Sequence, residues 1–115
     1  MGSAKTLRVG LAGLGNVGLG VVKILEQQSR HLEARTGVAI NLTAIAARSR
    51  TKDRGYDLAR YAWCDRPVDL AARSDVDVVV EVMGGQDGAA LDLIKAALQQ
   101  GKPVVTANKA LLAHH

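Results

Sequence analysis

With 115 residues, 48% apolar and 23% charged, the chain can build one small domain with one core and is too short for two. The net charge of +4 is mild and no basic run interleaves with aromatics, which argues against nucleic acid and suits a small anionic ligand. A single cysteine, Cys64, excludes an internal disulfide and a multi-cysteine metal site and fits a reducing, cytoplasmic compartment, so no metal is expected. No apolar run approaches the roughly 20 residues of a membrane span.

Aromatics are scarce and Phe is absent, so the core must be made of Val, Leu, Ile and Ala, as in a parallel sheet covered on both faces. Leu7 to Ala12 reads as a strand ending in glycines. Val17, Val21, Ile24, Leu25 and Leu32 then recur at helical spacing, with Gly37 as the stop. Ile40 to Ala46 is a second strand in which Ile40, Leu42 and Ala44 alternate with Asn41 and Thr43. Residues 47–73 suggest a loop, one or two short helical pieces and a short strand near Tyr61–Trp63, with Pro67 breaking any continuous element. Val76 to Met83 is a Val-rich strand, apolar on both faces except at Asp77 and Glu81. Asp87 is a candidate N-cap for a helix whose apolar face is Leu91, Ile94 and Leu98 and whose end is Gly101. Pro103 to Thr106 is the next strand, and Ala110 to His115 starts another helical pattern. Strands alternating with helices imply α/β: a Rossmann-like, doubly wound parallel sheet in three layers, incomplete at its C-terminal end.

Gly13-Leu14-Gly15-Asn16-Val17-Gly18 fits G-x-G-x-x-G, and it lies where the motif has meaning, between a predicted strand and a predicted helix. Gly13 permits the tight turn, Gly15 lets the backbone approach a pyrophosphate, and Gly18 lets the helix pack on the sheet. The helix N-terminus offers N–H groups and the positive end of its dipole to the phosphates. The alternative is a glycine-rich turn that binds nothing. Selectivity for NAD usually requires an acid after the second strand. Here the sequence runs Ala47-Arg48-Ser49-Arg50-Thr51-Lys52, with no carboxylate before Asp53. Arg48, Ser49, Arg50 and Lys52 suit a 2′-phosphate, so NADP is expected to be preferred and NAD accepted; the alternative is a solvated basic loop.

Ligands of open parallel sheets bind beyond the carboxyl ends of the strands, and two further ends carry unusual residues. Met83-Gly84-Gly85 lets backbone pass close to a flat ring such as nicotinamide, or is simply a turn leading into a helix. Thr106, Asn108 and Lys109 bring polar groups to the last strand end. Lys109 there can bind a substrate oxygen, stabilise negative charge or move a proton, or it is a solvent-facing lysine. Glu81, inside an otherwise apolar strand, is either paired or faces a cleft.

The segments Val9–Gly18, Val82–Gly85 and Val105–Ala113 together resemble homoserine dehydrogenase, in that family's order and spacing and across nearly the whole chain. Thr106-Ala107-Asn108-Lys109 is the specific part. The resemblance implies the NAD(P)-binding domain, here all of residues 1–115, of an enzyme interconverting L-homoserine and L-aspartate 4-semialdehyde in threonine and methionine biosynthesis. It implies that Asn16, Val17 and Gly18 meet the pyrophosphate, that Thr106 meets the nicotinamide side, and that Lys109 is an active-site lysine handling a proton. It also implies that the dimerisation and substrate regions lie outside this chain. The expectation is therefore a fragment that binds nucleotide without turnover, from a full-length homo-oligomer acting on a small amino acid. Two other readings stand beside it. One is another small NAD(P)-dependent dehydrogenase, which has no need of the Thr106–Lys109 motif. The other is a non-catalytic dinucleotide-sensing domain.

Overall fold

Runs rich in Val, Ile, Leu and Ala favour extended backbone buried between helices, and four such runs with the short segment Ala62-Trp63-Cys64 form the sheet. The computed structural model describes residues 5–47, 57–83 and 88–107. In chain order it contains β1 (Lys5–Ala12), α1 (Asn16–Thr36), β2 (Val38–Ala46), β3 (Ala62–Cys64), a 3-10 helix (Pro67–Ala72), β4 (Val78–Glu81), α2 (Gly88–Gln99) and β5 (Val104–Thr106). All pairings are parallel, in the order β3-β2-β1-β4-β5. Strand order therefore reverses between β1 and β4, the position where doubly wound sheets open a ligand crevice.

Two apolar layers enclose the sheet. On one face Leu14, Leu19, Val21 and Val22 from the α1 side meet Leu11, Ile45, Val80 and Val82. On the other, Leu70 and Ala71 of the 3-10 helix and Leu93 and Ala97 of α2 meet Ala12, Ala44, Ala46 and Val79. The expected three-layer α/β Rossmann-like architecture is what the chain forms.

The buried stripe of each helix is rotated from the expected one, leaving Val21, Leu25, Leu32, Leu91 and Ile94 half-buried at its margin. Val17 and Ile24 of α1 are exposed, whereas Gly18 and Val22 are buried. In α2 the buried positions are Ala90, Leu93 and Ala97, and Leu98 is exposed. The physical reason is shared. Small residues let a helix axis approach its neighbour closely, so the contact line runs through Gly18, Ala90 and Ala97 with Val22 and Leu93 seated between them. The helix ends follow expectation: Gly37 and Gly101 both take left-handed φ of 74°, with Gly37 N–H donating to the Glu33 carbonyl and Lys102 N–H to the Ala97 carbonyl.

The alternation expected in β2 is broken. The register runs Val9↔Leu42 and then Gly10↔Ala44, so Thr43 is an extra residue in a β-bulge. That insertion leaves Leu42 facing the α1 layer and turns Ala44 to the opposite layer. The Thr43 hydroxyl lies 2.7 Å from the Asp75 carbonyl and 3.2 Å from that of Val9, so it donates across the bulge. Gly10 beside it is closely packed: a Cβ there would stand 3.0 Å from a Val76 methyl, which would have to shift to admit it. Pro67 does not simply interrupt the chain; it opens the 3-10 helix, where its fixed φ and missing N–H cost nothing. Lys102 Nζ caps the other end of that helix, donating to the carbonyls of Ala71 and Arg73 at 2.7 and 2.6 Å.

Candidate functional site

The register places Cys64, Ala46, Ala12, Glu81 and Thr106 in one row across the carboxyl edge of the sheet. One residue beyond that row the strand ends remain stitched together. Gly13 N–H donates to the Ala46 carbonyl at 2.8 Å, Val82 N–H to Ala12 at 2.9 Å and Ala107 N–H to Glu81 at 3.1 Å. The glycine loop, Met83 and Thr106 thus leave the sheet along one edge. Thr106 and Ala12 are two strand spacings apart, roughly 10 Å.

Two of the three motif glycines are required by the protein's own backbone and the third is not. Gly13 has φ of +104°, and a Cβ there would lie 3.0 Å from the Val82 carbonyl carbon and oxygen. Gly18 would drive a Cβ to 1.9 Å from the Gly13 carbonyl oxygen, so α1 can lie against the loop only without a side chain at this position. Gly15 is the contrast: nothing stands within 4 Å of its would-be Cβ, and its φ of −73° is open to any residue. Protein contacts explain Gly13 and Gly18 but leave Gly15 unexplained, and the space before it suits a group from outside the chain.

The start of α1 is electrostatically bare. Gly15 occupies the N-cap position without a side-chain cap bond, and the first turn carries no acid. The first intrahelical bond is Leu19 N–H to the Gly15 carbonyl at 2.9 Å, so the N–H groups of residues 16–18 precede the hydrogen-bonded ladder. Asn16 and Val17 are exposed at this turn. Leu14 is different: its side chain is buried in the α1 layer, leaving only its backbone for ligand contact. A loop with an open Gly15 below an uncapped helix terminus fits a dinucleotide pyrophosphate.

At the far end of the row, Glu81 is fully buried and paired. It accepts from the Thr106 hydroxyl through Oε1 and from the Met83 N–H through Oε2, both at 2.6 Å. From sequence alone its role is open, and its signal is a lone acid in a strand of valines. Arg48, Ser49, Arg50, Lys52, Gly84, Gly85, Asn108 and Lys109 lie outside the described residues, as does the expected N-cap Asp87. A cleft of about 470 Å³ between α1 and β2 contains none of the motif residues; Glu26 in its wall pairs with Arg60 at 3.1 Å and accepts from the Tyr61 hydroxyl. No helix among the described residues is long and apolar enough to cross a membrane.

The chain is similar in sequence and fold to proteins of one family. The sequence profile described as "Homoserine dehydrogenase, NAD binding domain" matches residues 13–115. The chain is 46% identical to the homoserine dehydrogenase of Mycobacterium tuberculosis over 112 residues, covering 97% of this chain and 25% of that protein. With the Bacillus subtilis homoserine dehydrogenase it shares 39% over 109 residues, covering 95% and 25%. Among solved structures, the Thiobacillus denitrificans homoserine dehydrogenase superposes with a TM-score of 0.84 at 34% identity, over 96% of this chain and 25% of that one. A scyllo-inositol dehydrogenase from Lactobacillus casei shares the fold, with a TM-score of 0.62 at 23% identity, over 90% of this chain and 28% of that one. The chain spans about a quarter of the length of the curated relatives it matches.

Proposed function

The chain belongs to the homoserine dehydrogenase NAD-binding domain family, and on that premise we propose that it binds a nicotinamide dinucleotide across the carboxyl edge of β1, β4 and β5 for hydride transfer between L-homoserine and L-aspartate 4-semialdehyde. The observation that carries the binding step is the open Gly15 between two glycines that protein contacts require. The pyrophosphate rests on the backbone of Gly13, Leu14 and Gly15 and on the N–H groups of Asn16, Val17 and Gly18, where the helix dipole favours negative charge. Met83, Gly84, Gly85, Thr106 and Asn108 line the nicotinamide end. The cofactor, when bound, supplies the hydride chemistry. Lys109, three residues beyond Thr106, takes or returns the hydroxyl proton as alcohol and aldehyde interconvert.

The stretch after β2 supports a preference for NADP. It carries Arg48, Arg50 and Lys52 with Ser49, and no carboxylate before Asp53, so it offers a 2′-phosphate charge and donors and offers ribose hydroxyls no acid. Calorimetric titration tests both parts. NADPH is expected to bind more tightly than NADH, and Arg48→Ala to weaken NADPH while leaving NADH nearly unchanged. Equal affinities unaffected by Arg48→Ala refute the preference, and no heat with either cofactor refutes the binding site. For the chemistry, Lys109→Ala in a protein that carries the remaining domains should lower turnover far more than cofactor affinity; the opposite pattern removes the assignment.

A further inference from the structure

The buried Glu81 carboxylate does more than fill a strand end. As a carboxylate it can only accept hydrogen bonds, and both of its oxygens are engaged, one by the Thr106 hydroxyl and one by the Met83 N–H. A threonine hydroxyl has a single proton. With that proton given to Glu81, Thr106 Oγ1 can meet any other group only as an acceptor. Main-chain pairing holds the same region from below: Glu81 and Thr106 are register partners, and Ala107 N–H donates to the Glu81 carbonyl. The orientation of the hydroxyl is thus set by a group with no exposure to solvent, held between two strands.

We infer that Glu81 is a positioning residue that fixes Thr106 as a hydrogen-bond acceptor for the amide N–H₂ of the nicotinamide carboxamide. The inference rests on the reading that the nicotinamide end of the dinucleotide lies at the β4 and β5 strand ends. The carboxamide is the part of the ring substituent that carries donors, and a site presenting an acceptor discriminates against a ring that lacks them. Glu81→Gln makes the test sharp. A glutamine has one acceptor oxygen and one donor nitrogen, so it cannot accept from Met83 and Thr106 together. Keeping the Met83 bond turns its N–H₂ toward Thr106 Oγ1. The Thr106 proton is then released, and the hydroxyl can act as a donor.

The experiment measures dissociation constants for the reduced dinucleotide, for its 3-acetylpyridine analogue, in which a methyl ketone replaces the carboxamide, and for the matching phospho-ADP-ribose, which lacks the ring. The wild-type chain should favour the carboxamide over the ketone by roughly tenfold, the scale of one lost hydrogen bond. Glu81→Gln should bring that ratio close to one while leaving phospho-ADP-ribose affinity unchanged, a pattern that general loosening of the fold does not produce. The same ratio in wild type and Glu81→Gln overturns the inference and leaves the dinucleotide site standing. No binding of any dinucleotide overturns both. If Glu81→Gln does not fold, Thr106→Ser and Thr106→Val decide the matter with Glu81 intact. The serine should keep the ratio and the valine lose it, and a valine variant that keeps it overturns the assignment.

Discussion

Replacing Gly18 with alanine should destabilise the packing of α1 on the sheet edge, while replacing Gly15 with valine should leave the fold and weaken dinucleotide binding. At Gly18 the new Cβ would sit 1.9 Å from the Gly13 carbonyl oxygen, a backbone atom that no rotamer change can move. Restoring an ordinary 3.4 Å contact requires about 1.5 Å of retreat by α1, which strips Val22 from its fully buried site. Overpacking of this kind costs about 1–3 kcal/mol, and a rigid partner puts the cost near the upper figure. For a chain of this length that lowers the melting temperature by on the order of 10 °C. At Gly15 the φ is −73° and nothing lies within 4 Å, so the fold loses at most about 1 kcal/mol, from the poorer N-cap. The valine side chain instead occupies the space proposed for the pyrophosphate. Displacing one charge-assisted hydrogen bond costs about 1.5–3 kcal/mol, or roughly ten- to hundredfold in affinity. Thermal melts paired with calorimetric titration of NADPH separate the two effects. A Gly15→Val chain that binds as tightly as wild type refutes the reasoning, as does a Gly18→Ala chain with an unchanged melting temperature.

Two further outcomes follow from the packing and the charges. Leu93→Ala should cost about 2–5 kcal/mol in urea unfolding, because Leu93 is fully buried, and Leu98→Ala about 0.5 kcal/mol or less, because Leu98 is 60% exposed. The reverse order would mean that α2 presents its other face. Asp77 is held down to about 2 from 3.8, chiefly by the side-chain bond to the Arg8 guanidinium, whose Nη2 lies 2.9 Å from Oδ1. A depressed carboxyl stabilises the fold above its unfolded value and loses that contribution as pH falls through the folded one, so the pair acts above about pH 4 and is spent near pH 2. Asp75, lowered chiefly by its bond to Arg73, adds in the same direction. Denaturant midpoints at pH 4.5 and 2.5 should therefore differ less in Asp77→Asn than in wild type, and an equal difference would contradict the pairing.

The elements and the glycine loop were legible because they rest on local chemistry. A Val-rich run, a left-handed glycine at a helix end and the strand–loop–helix setting of Gly13 to Gly18 each announce themselves over a few residues. What escaped depends on partners distant in sequence. Periodicity ranks Val17, Ile24 and Leu98 as buried because they are large, whereas packing places Gly18, Ala90 and Ala97, with Val22 and Leu93, on the contact line. One inserted residue, Thr43, reversed the faces of β2, which no alternation pattern can anticipate. Glu81 could be singled out as odd, but its bond to Thr106 exists only because β4 and β5 pair in that register.

The claim on which the rest depends is that the turn from β1 into α1 cradles phosphate. It is tested most directly by backbone amide spectra of the ¹⁵N-labelled chain during addition of NADPH. The largest shifts should fall on Gly15, Asn16, Val17 and Gly18, with smaller ones at Met83 and Thr106. Shifts gathered instead around Glu26, Arg60 and Tyr61, or spectra that do not change, would contradict it.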